Sequence, residues 1–384
     1  MREVEELLPI PTQLPAVDGW KELPIEEGGQ PLVPLGPFTE DHRLFTSSIY
    51  YGEHSNSPYL DEQNKLAGAM ITLFVRERVA ERLRHAQLLL PESYHLIILD
   101  TFRSLQVQDA LYQHYHDHLA LLHPDWTADQ LSSETQKYVS LPSTDPSRPS
   151  PHNTGGSVDL AICHLPEKID TRVAELTAEV DQLRLEAPKD FGPEEEARHP
   201  VLRRLYLAEM LKISLVRRHA QFLDFGTRFD HGGPEAALNY MELLGTERSL
   251  TTAELEARDH RRLLYKVMIE AGMQGYLDEW WHYNAPENQM GARTAGLDTA
   301  TYGAALLSTE NEEHEQMRRQ HHAGLIRIQE RTLLEDDPGL GREPLWQELI
   351  ALNQLALEES GDPRLAYLPS AAIIEPSGQT QKVS

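Results

Sequence analysis

The feature that most restricts the fold of this chain is a polar loop that runs directly into a strand. The loop ends in SPHNTGGSVDL, residues 150–160, which sets His152 and Asp159 seven positions apart around a Gly-Gly step. The alternation of hydrophobic residues in SVDLAIC predicts a strand with Asp159 on the face opposite its hydrophobic residues. Glycine tolerates the backbone angles of a sharp bend, so the loop can fold His152 back over this strand. The alternative is an ordinary loop histidine and a salt-bridging aspartate.

A second short stretch, DEWWH, places Glu279 and His282 three positions apart. On a helical turn the two residues share a face, and on an extended strand a bulge is required to bring them together. The alternative is a core stripe formed by Trp280 and Trp281 with incidental polar neighbours. Together the two stretches supply two imidazoles and two carboxylates. This set matches a catalytic zinc with three protein ligands, an open water position and one non-ligating base.

Arg103 follows the hydrophobic run LIILD, which predicts a buried strand. A zinc site that hydrolyses an amide must stabilise negative charge on the carbonyl oxygen, and a fixed guanidinium does so without losing its proton. The alternative is a surface ion pair of Arg103 with Asp100 or Asp109, which contributes little stability.

Charge and cysteine content exclude several classes of partner. The 384 residues include 61 acidic and 35 basic side chains, a formal charge of -26, so most of the surface repels nucleic acid and anionic membranes. Cys163 is the only cysteine, which excludes an intramolecular disulfide and a cysteine-rich zinc module. The N-terminus shows no secretory signal and no hydrophobic run is long enough to span a bilayer. We therefore expect a soluble, cytoplasmic protein without membrane or nucleic-acid partners.

The pattern along the chain predicts three parts. Residues 1–40 read as an extended N-terminal arm, 41–300 as the main domain, and 301–384 as a helical extension with a disordered tail. Within the main domain, the spacing of hydrophobic residues predicts one long helix from Leu66 to Leu90.

Residues 166–222 differ in character from the rest of the main domain. A Pro-rich and acidic stretch separates two helical runs in this segment. The hydrophobic residues of the first run follow a short heptad seam, formed by Ile169, Val173, Leu176, Val180 and Leu183. We predict an inserted helical hairpin that projects from the fold and offers a surface for a second copy of the chain. Two surface helices packed on the domain are the alternative.

These stretches resemble the zinc D-alanyl-D-alanine dipeptidases, the vancomycin-resistance dipeptidase family, which is related to D,D-carboxypeptidases and to the hedgehog domain. SPHNTGGSVDL is similar to the signature Ser-x-His-x-x-Gly-x-x-x-Asp, EWWH to Glu-x-x-His, and DFGTRFD to Asp-x-Gly-Thr-x-Phe-Asp. LDTFRSLQVQ is similar to the strand that carries the transition-state arginine, although Ser104 stands where a proline is common. RRLLYKVMIEAGM is similar to the helix before the last ligand.

The resemblance runs from about residue 57 to residue 283 and omits the predicted hairpin. Combined with the element order, it predicts an α+β fold with a central, mostly antiparallel sheet that carries a zinc site and is flanked by helices. The element order alone also allows a mixed sheet.

The resemblance also implies a role for each site residue. It assigns one Zn²⁺ per chain to His152, Asp159 and His282, the general base to Glu279 and oxyanion stabilisation to Arg103. It places the substrate ammonium near Ser150 and Asp224, with Asp230 as the second choice.

The implied activity is hydrolysis of D-Ala-D-Ala or a similar small dipeptide by attack of a zinc-bound water. One alternative is a D,D- or L,D-carboxypeptidase of peptidoglycan stem peptides, which the missing export signal disfavours. Another is a zinc-containing binding protein without turnover, which needs neither Glu279 nor Arg103.

Overall fold

The computed structural model describes residues 7–13, 15, 17–52, 57–59, 64–188, 199–329 and 343–360. The strands in these ranges are β1 Leu32–Leu35, β2 Phe45–Thr46, β3 Leu73–Arg76, β4 Tyr94–Asp100, β5 Ser157–His164, β6 Gln221–Phe222, β7 Gln274–Gly275 and β8 His282–Asn284. The helices are α1 Glu77–Leu89, α2 Leu105–Leu122, α3 Ala128–Tyr138, α4 Glu167–Glu186, α5 Pro200–His219, α6 Tyr240–Glu247, α7 Thr252–Glu270, α8 Gln289–Thr294, α9 Thr309–Gln329 and α10 Pro344–Ser360. No helix within these ranges is both long and apolar enough to cross a bilayer.

The main sheet has the strand order β2-β4-β5-β8-β7, and β6 pairs with the end of β5. β2 runs parallel to β4, while the other pairings in this sheet are antiparallel. The predicted α+β fold with a mostly antiparallel sheet is therefore confirmed. The two strands expected from YHLIILD and SVDLAIC are β4 and β5.

The register of the three central strands brings polar residues into one row. Asp100 at the end of β4 lies opposite Asp159 on β5, and Asp159 lies opposite His282 at the start of β8. The β4–β5 register shifts between Ile98 and Asp100, as at a β-bulge. Bulges re-aim side chains and occur next to active sites.

The prediction of one helix from Leu66 to Leu90 is wrong in its first half. Leu73–Arg76 forms strand β3, which pairs antiparallel with Leu32–Leu35, and the helix begins only at Glu77. All four residues of β3 are buried. A strand buried on both faces is hydrophobic at successive positions, so periodicity does not separate it from a helix.

The predicted helical hairpin is present as α4 and α5, which pack against each other, and its expected turn at 189–198 lies outside the described residues. It does not project from the body of the protein. Val173, Leu176 and Val180 belong to the same hydrophobic core as the central sheet. Helix α10 packs on α5 and adds Trp346 to this core. The expected tail beyond residue 360 also lies outside the described residues.

Replacing Trp346 by alanine tests whether α10 is part of the folded core. The side chain is 2% exposed, so we expect Trp346→Ala to lower the free energy of unfolding by about 3–5 kcal/mol, measured by urea denaturation. Leu355→Ala on the same helix is the control, because Leu355 is 53% exposed and its loss should cost under about 1 kcal/mol. Equal effects of the two variants would contradict this packing.

Candidate active site

Three predicted ligands converge at the end of the central sheet. One ligand atom each from His152, Asp159 and His282 lies within 4.8 Å of the other two, and all three residues are buried. His282 Nδ1 is 2.8 Å from Asp159 Oδ1 and 3.2 Å from His152 Nε2. His152 Nε2 is 3.4 Å from Asp159 Oδ2. Residues far apart in the chain therefore present two imidazoles and one carboxylate to a common point.

Hydrogen bonds on the far side of each ring fix which nitrogen faces this point. His152 Nδ1 donates to the carbonyl oxygen of Thr101 at 2.7 Å, and His282 Nε2 donates to Asn284 Oδ1 at 3.2 Å. Asn284 Oδ1 acts as an acceptor because Ser157 Oγ donates to it. A neutral imidazole has one donor and one acceptor nitrogen, so the lone pairs of His152 Nε2 and His282 Nδ1 face each other.

The charges around this point favour a cation. Burial alone would lower the pKa of His152, but the carboxylates of Asp159 and Asp100 outweigh it and raise that pKa. Burial would likewise raise the pKa of Asp159, but the two histidines hold it well below its usual value. Two nitrogen lone pairs and an ionised carboxylate suit Zn²⁺, which takes nitrogen and oxygen ligands in a tetrahedral site.

Glu279 stands beside the cluster without joining it. Its Oε2 is 3.8 Å from His282 Nδ1, and its side chain is 38% exposed. The segment between Tyr276 and His282 is a turn rather than a helix or a bulged strand. Although the side chain is partly exposed, desolvation by the surrounding protein raises the pKa of Glu279 to about 7, with opposition from His282 and a further contribution from Asp159. A carboxylate that gains and loses a proton near neutral pH suits a general acid–base role.

Arg103 combines features of both interpretations made from the sequence. It pairs with Asp100 as the alternative proposed, with Nη2 2.5 Å from Asp100 Oδ2, but this is not a surface pair, because Asp100 is buried and the Arg103 side chain is only 13% exposed. Asp100 Oδ2 is also 3.3 Å from His152 Nδ1. One carboxylate oxygen thus links the guanidinium to the histidine of the candidate metal site.

Gly155 forms the bend that returns His152 to the sheet. His152–Thr154 is a single 3-10 turn, and Gly155 ends it with a φ of 68°. A side chain here would be strained, and its Cβ would lie 2.3 Å from Leu32 Cδ2. Ser150 precedes this turn, and its Oγ accepts a hydrogen bond from the backbone N–H of Asn153.

The structure separates the two aspartates that the sequence offered for the substrate amine. Asp224 is exposed and its Oδ1 accepts the backbone N–H of Gly226 at 2.7 Å. Asp230 is exposed as well, but desolvation of its carboxyl raises its pKa to about 6, with Asp159 acting in the same direction and Arg103 opposing it. Asp230 also has a φ of 61°, a left-handed conformation that aspartate tolerates better than most residues. The charges of Asp159, Arg103 and Asp100 therefore act on the Asp230 carboxyl, whereas Asp224 supports its own loop.

Aromatic stacking fixes the loop that carries Asp230. Phe225 stacks on Trp280 with ring centroids 4.1 Å apart, and Phe229 lies 5.3 Å from Trp281. The indole N–H of Trp280 donates to Thr227 Oγ1 at 2.8 Å. The two tryptophans are thus core residues that join the DFGTRFD loop to the turn that carries Glu279.

Arg76, which the sequence did not single out, supports the His152 loop from behind. Its Nε donates to the carbonyl oxygen of Thr154 at 2.8 Å, and its Nη2 donates to that of Gly303 at 3.1 Å. Its Nη1 is 3.2 Å from Glu27 Oε1 and also donates to the carbonyl oxygen of Gln30. A buried arginine without a motif around it gives no sequence signal.

A comparison with protein families supports the family resemblance predicted from the sequence. The Peptidase_M15 family model, described as D-ala-D-ala dipeptidase, matches residues 207–298. The resemblance predicted from the sequence is confirmed. The matched segment contains Asp230, Glu279 and His282, so the D-alanyl-D-alanine dipeptidase family supports a zinc-peptidase-like function for this chain. A search of curated proteins finds no match.

Asn284 offers a test of the candidate metal site that leaves its ligands intact. Its Oδ1 accepts from His282 Nε2, so Asn284→Ala should weaken zinc affinity by about 10- to 100-fold, measured by competition with a chromogenic chelator. Asn284→Asp keeps an acceptor and is expected to bind zinc almost as tightly as wild type. Zinc affinity unchanged in Asn284→Ala would argue against His282 as a ligand.

Proposed function

We propose that this protein is a zinc-dependent dipeptidase that hydrolyses D-Ala-D-Ala or a similarly small dipeptide. The observation that carries the proposal is the convergence of His152, Asp159 and His282 with Glu279 standing 3.8 Å from one ligand nitrogen. In the proposal the three converging residues hold the ion and Glu279 stays off it. A bound Zn²⁺ would supply Lewis acidity toward the peptide carbonyl and would make water more acidic.

Asp230 binds the free ammonium of the substrate in this proposal, in place of Asp224. Desolvation raises the pKa of Asp230, and the negative charges of Asp159 and Asp100 raise it further, so a cationic group is favoured beside it. An unpaired charge is costly to bury, so pairing with Asp230 stabilises the bound ammonium of the substrate. The ammonium in turn offsets the repulsion between the Asp230 carboxylate and the neighbouring carboxylates. The position of Asp230 near the cluster favours a substrate whose amino terminus lies close to the bond that is cut. Ser150, at the start of the His152 turn, is the second residue proposed to contact the amine.

Glu279 and Arg103 perform the remaining steps. Glu279 accepts a proton from the attacking water as the new carbon–oxygen bond forms, and returns it to the leaving amine as the carbon–nitrogen bond breaks. Arg103 stabilises the negative charge that develops on the carbonyl oxygen. Desolvation lowers the pKa of Arg103, but the negative charge of Asp100 outweighs this effect and raises that pKa above its already high value, so the guanidinium stays protonated throughout.

An assay of the zinc-loaded full chain tests the proposed activity. Wild type is expected to cleave D-Ala-D-Ala, and Glu279→Gln is expected to lower kcat by at least about 100-fold while zinc content stays the same. L-Ala-L-Ala and a pentapeptide ending in D-Ala-D-Ala are run in parallel. Cleavage of the pentapeptide alone would replace the dipeptidase by a carboxypeptidase, and zinc binding without any turnover would leave a binding protein.

A matched pair of variants tests which aspartate binds the amine. Asp230→Asn should raise KM for the dipeptide by about 10-fold or more, because the variant loses a charge-assisted hydrogen bond to the ammonium. Asp224→Asn keeps an acceptor for Gly226 and is expected to leave KM within about twofold of wild type. The reverse pattern would return the amine-binding role to Asp224.

A further inference from the structure

The guanidinium of Arg103 is held on nearly all of its hydrogen-bonding positions. Arginine carries five N–H donors. Nε donates to Asp100 Oδ2 at 3.2 Å, and Nη2 donates to the same oxygen and to Tyr50 Oη at 3.0 Å. Nη1 donates to Gln108 Oε1 at 2.9 Å. Among the described residues, one N–H of Nη1 is left for a substrate.

Asp100 alone does not fix the direction of that N–H. Both of its contacts with Arg103 use the single oxygen Oδ2, so the guanidinium can swing about that oxygen. Tyr50 restrains Nη2, and its ring also lies against the guanidinium, with the centroid 4.8 Å from Cζ. Gln108 is the partner that restrains Nη1 itself, the nitrogen with the remaining donor.

Gln108 is itself held on both sides of its amide. Its Nε2 donates to the carbonyl oxygen of Ser140 at 2.7 Å, and the residue is 5% exposed. It lies in the first turn of α2, which Ser104 caps by accepting the backbone N–H of Val107. A buried amide with both ends bonded has little rotational freedom, so it transmits the position of helix α2 to Arg103.

The backbone of Arg103 is tied to the same region. Its N–H donates to the carbonyl oxygen of His152 at 3.2 Å, and its carbonyl oxygen accepts from Asn153 Nδ2 at 3.1 Å. The arginine is therefore anchored to the His152 turn through its backbone, and through Gln108 to the segment that leads into that turn. This arrangement makes the reach of the guanidinium depend on Gln108.

We propose that Gln108 is a positioning residue, which occupies one hydrogen of Arg103 Nη1 and so directs the other to the carbonyl oxygen of the substrate. This inference rests on the proposed peptidase function. Misplacing a catalytic group by about 1 Å costs as much as 100-fold in rate, which sets the scale of the expected effect.

Three variants of the zinc-loaded full chain separate positioning from simple packing. Gln108→Met, similar in length but without polar atoms, should lower kcat for D-Ala-D-Ala by about 10- to 100-fold with KM within about threefold. Gln108→Glu keeps an acceptor for Nη1 and should retain kcat within about threefold of wild type. Gln113→Met on the same helix is the control, because Gln113 is exposed and bonds only to Asp117 among the described residues. A wild-type kcat in Gln108→Met, or an equal loss in Gln108→Glu, would overturn the proposal.

A measurement without substrate separates this proposal from the proposed function. In NMR spectra of arginine-labelled protein, a fixed guanidinium gives separate signals for its Nη groups. We expect separate Arg103 signals in wild type and Gln113→Met, and their merging in Gln108→Met. Unchanged signals in Gln108→Met would refute the positioning role. Merged signals together with no dipeptide cleavage by wild type would support it and refute the proposed function instead. If Gln108→Met does not fold, Gln108→Asn, which keeps the amide but shortens its reach, takes its place in both experiments.

Discussion

The candidate site depends on the pairing register of three strands. Asp100, Asp159 and His282 stand opposite one another on β4, β5 and β8, so a row across the sheet supplies the arginine partner and two of the proposed ligands. A slip of one residue would turn each of these side chains to the opposite face. The hydrophobic residues that alternate with Asp159 on β5 are fully buried, which fixes the register through the core rather than through the site. The chemistry is thus positioned by hydrophobic packing.

Those residues were predictable because they adjoin strong hydrophobic signals. Asp100 and Arg103 follow a continuous hydrophobic run, and Asp159 lies within an alternating one. The bend at Gly155 was also readable, since a Gly-Gly step between a polar loop and a strand has few other uses. The sequence did not predict the hydrogen bonds that orient the proposed metal ligands. Asn284 and Thr101 orient the two histidines through a side-chain oxygen and a backbone oxygen, and neither has a pattern that marks it.

Two further differences have physical causes. β3 was predicted as helix because its partner strand lies about forty residues upstream, and local periodicity contains no information about distant pairing. The resemblance placed the substrate amine near Asp224 rather than Asp230. The two aspartates stand at opposite ends of DFGTRFD, and only the conformation of the residues between them distinguishes their surroundings. Stacking of Phe225 on Trp280 and the tilted contact of Phe229 with Trp281 set that conformation.

The site also contains more negative charge than its proposed ligands account for. Beyond desolvation, the charges of Asp159 and Asp100 raise the pKa of Asp230, and those of Asp159 and Asp230 raise the pKa of Glu279. Arg103 opposes both increases, and His282 opposes the increase at Glu279. A divalent ion and a substrate ammonium would each reduce this repulsion, so binding of one is expected to favour binding of the other.

Arg76 bears on how the two ends of the chain relate to the catalytic region. Its guanidinium contacts Glu27 and Gln30, the carbonyl oxygen of Gly303 and the turn that carries His152. Residues before 40 and after 300 are therefore bonded, through one side chain, to the loop that holds a proposed ligand. Shortening either end would leave buried donors of this arginine without acceptors, directly behind the histidine. A truncated protein that keeps only residues 57–283, the span of the sequence resemblance, would therefore lose the partners that hold Arg76 behind His152.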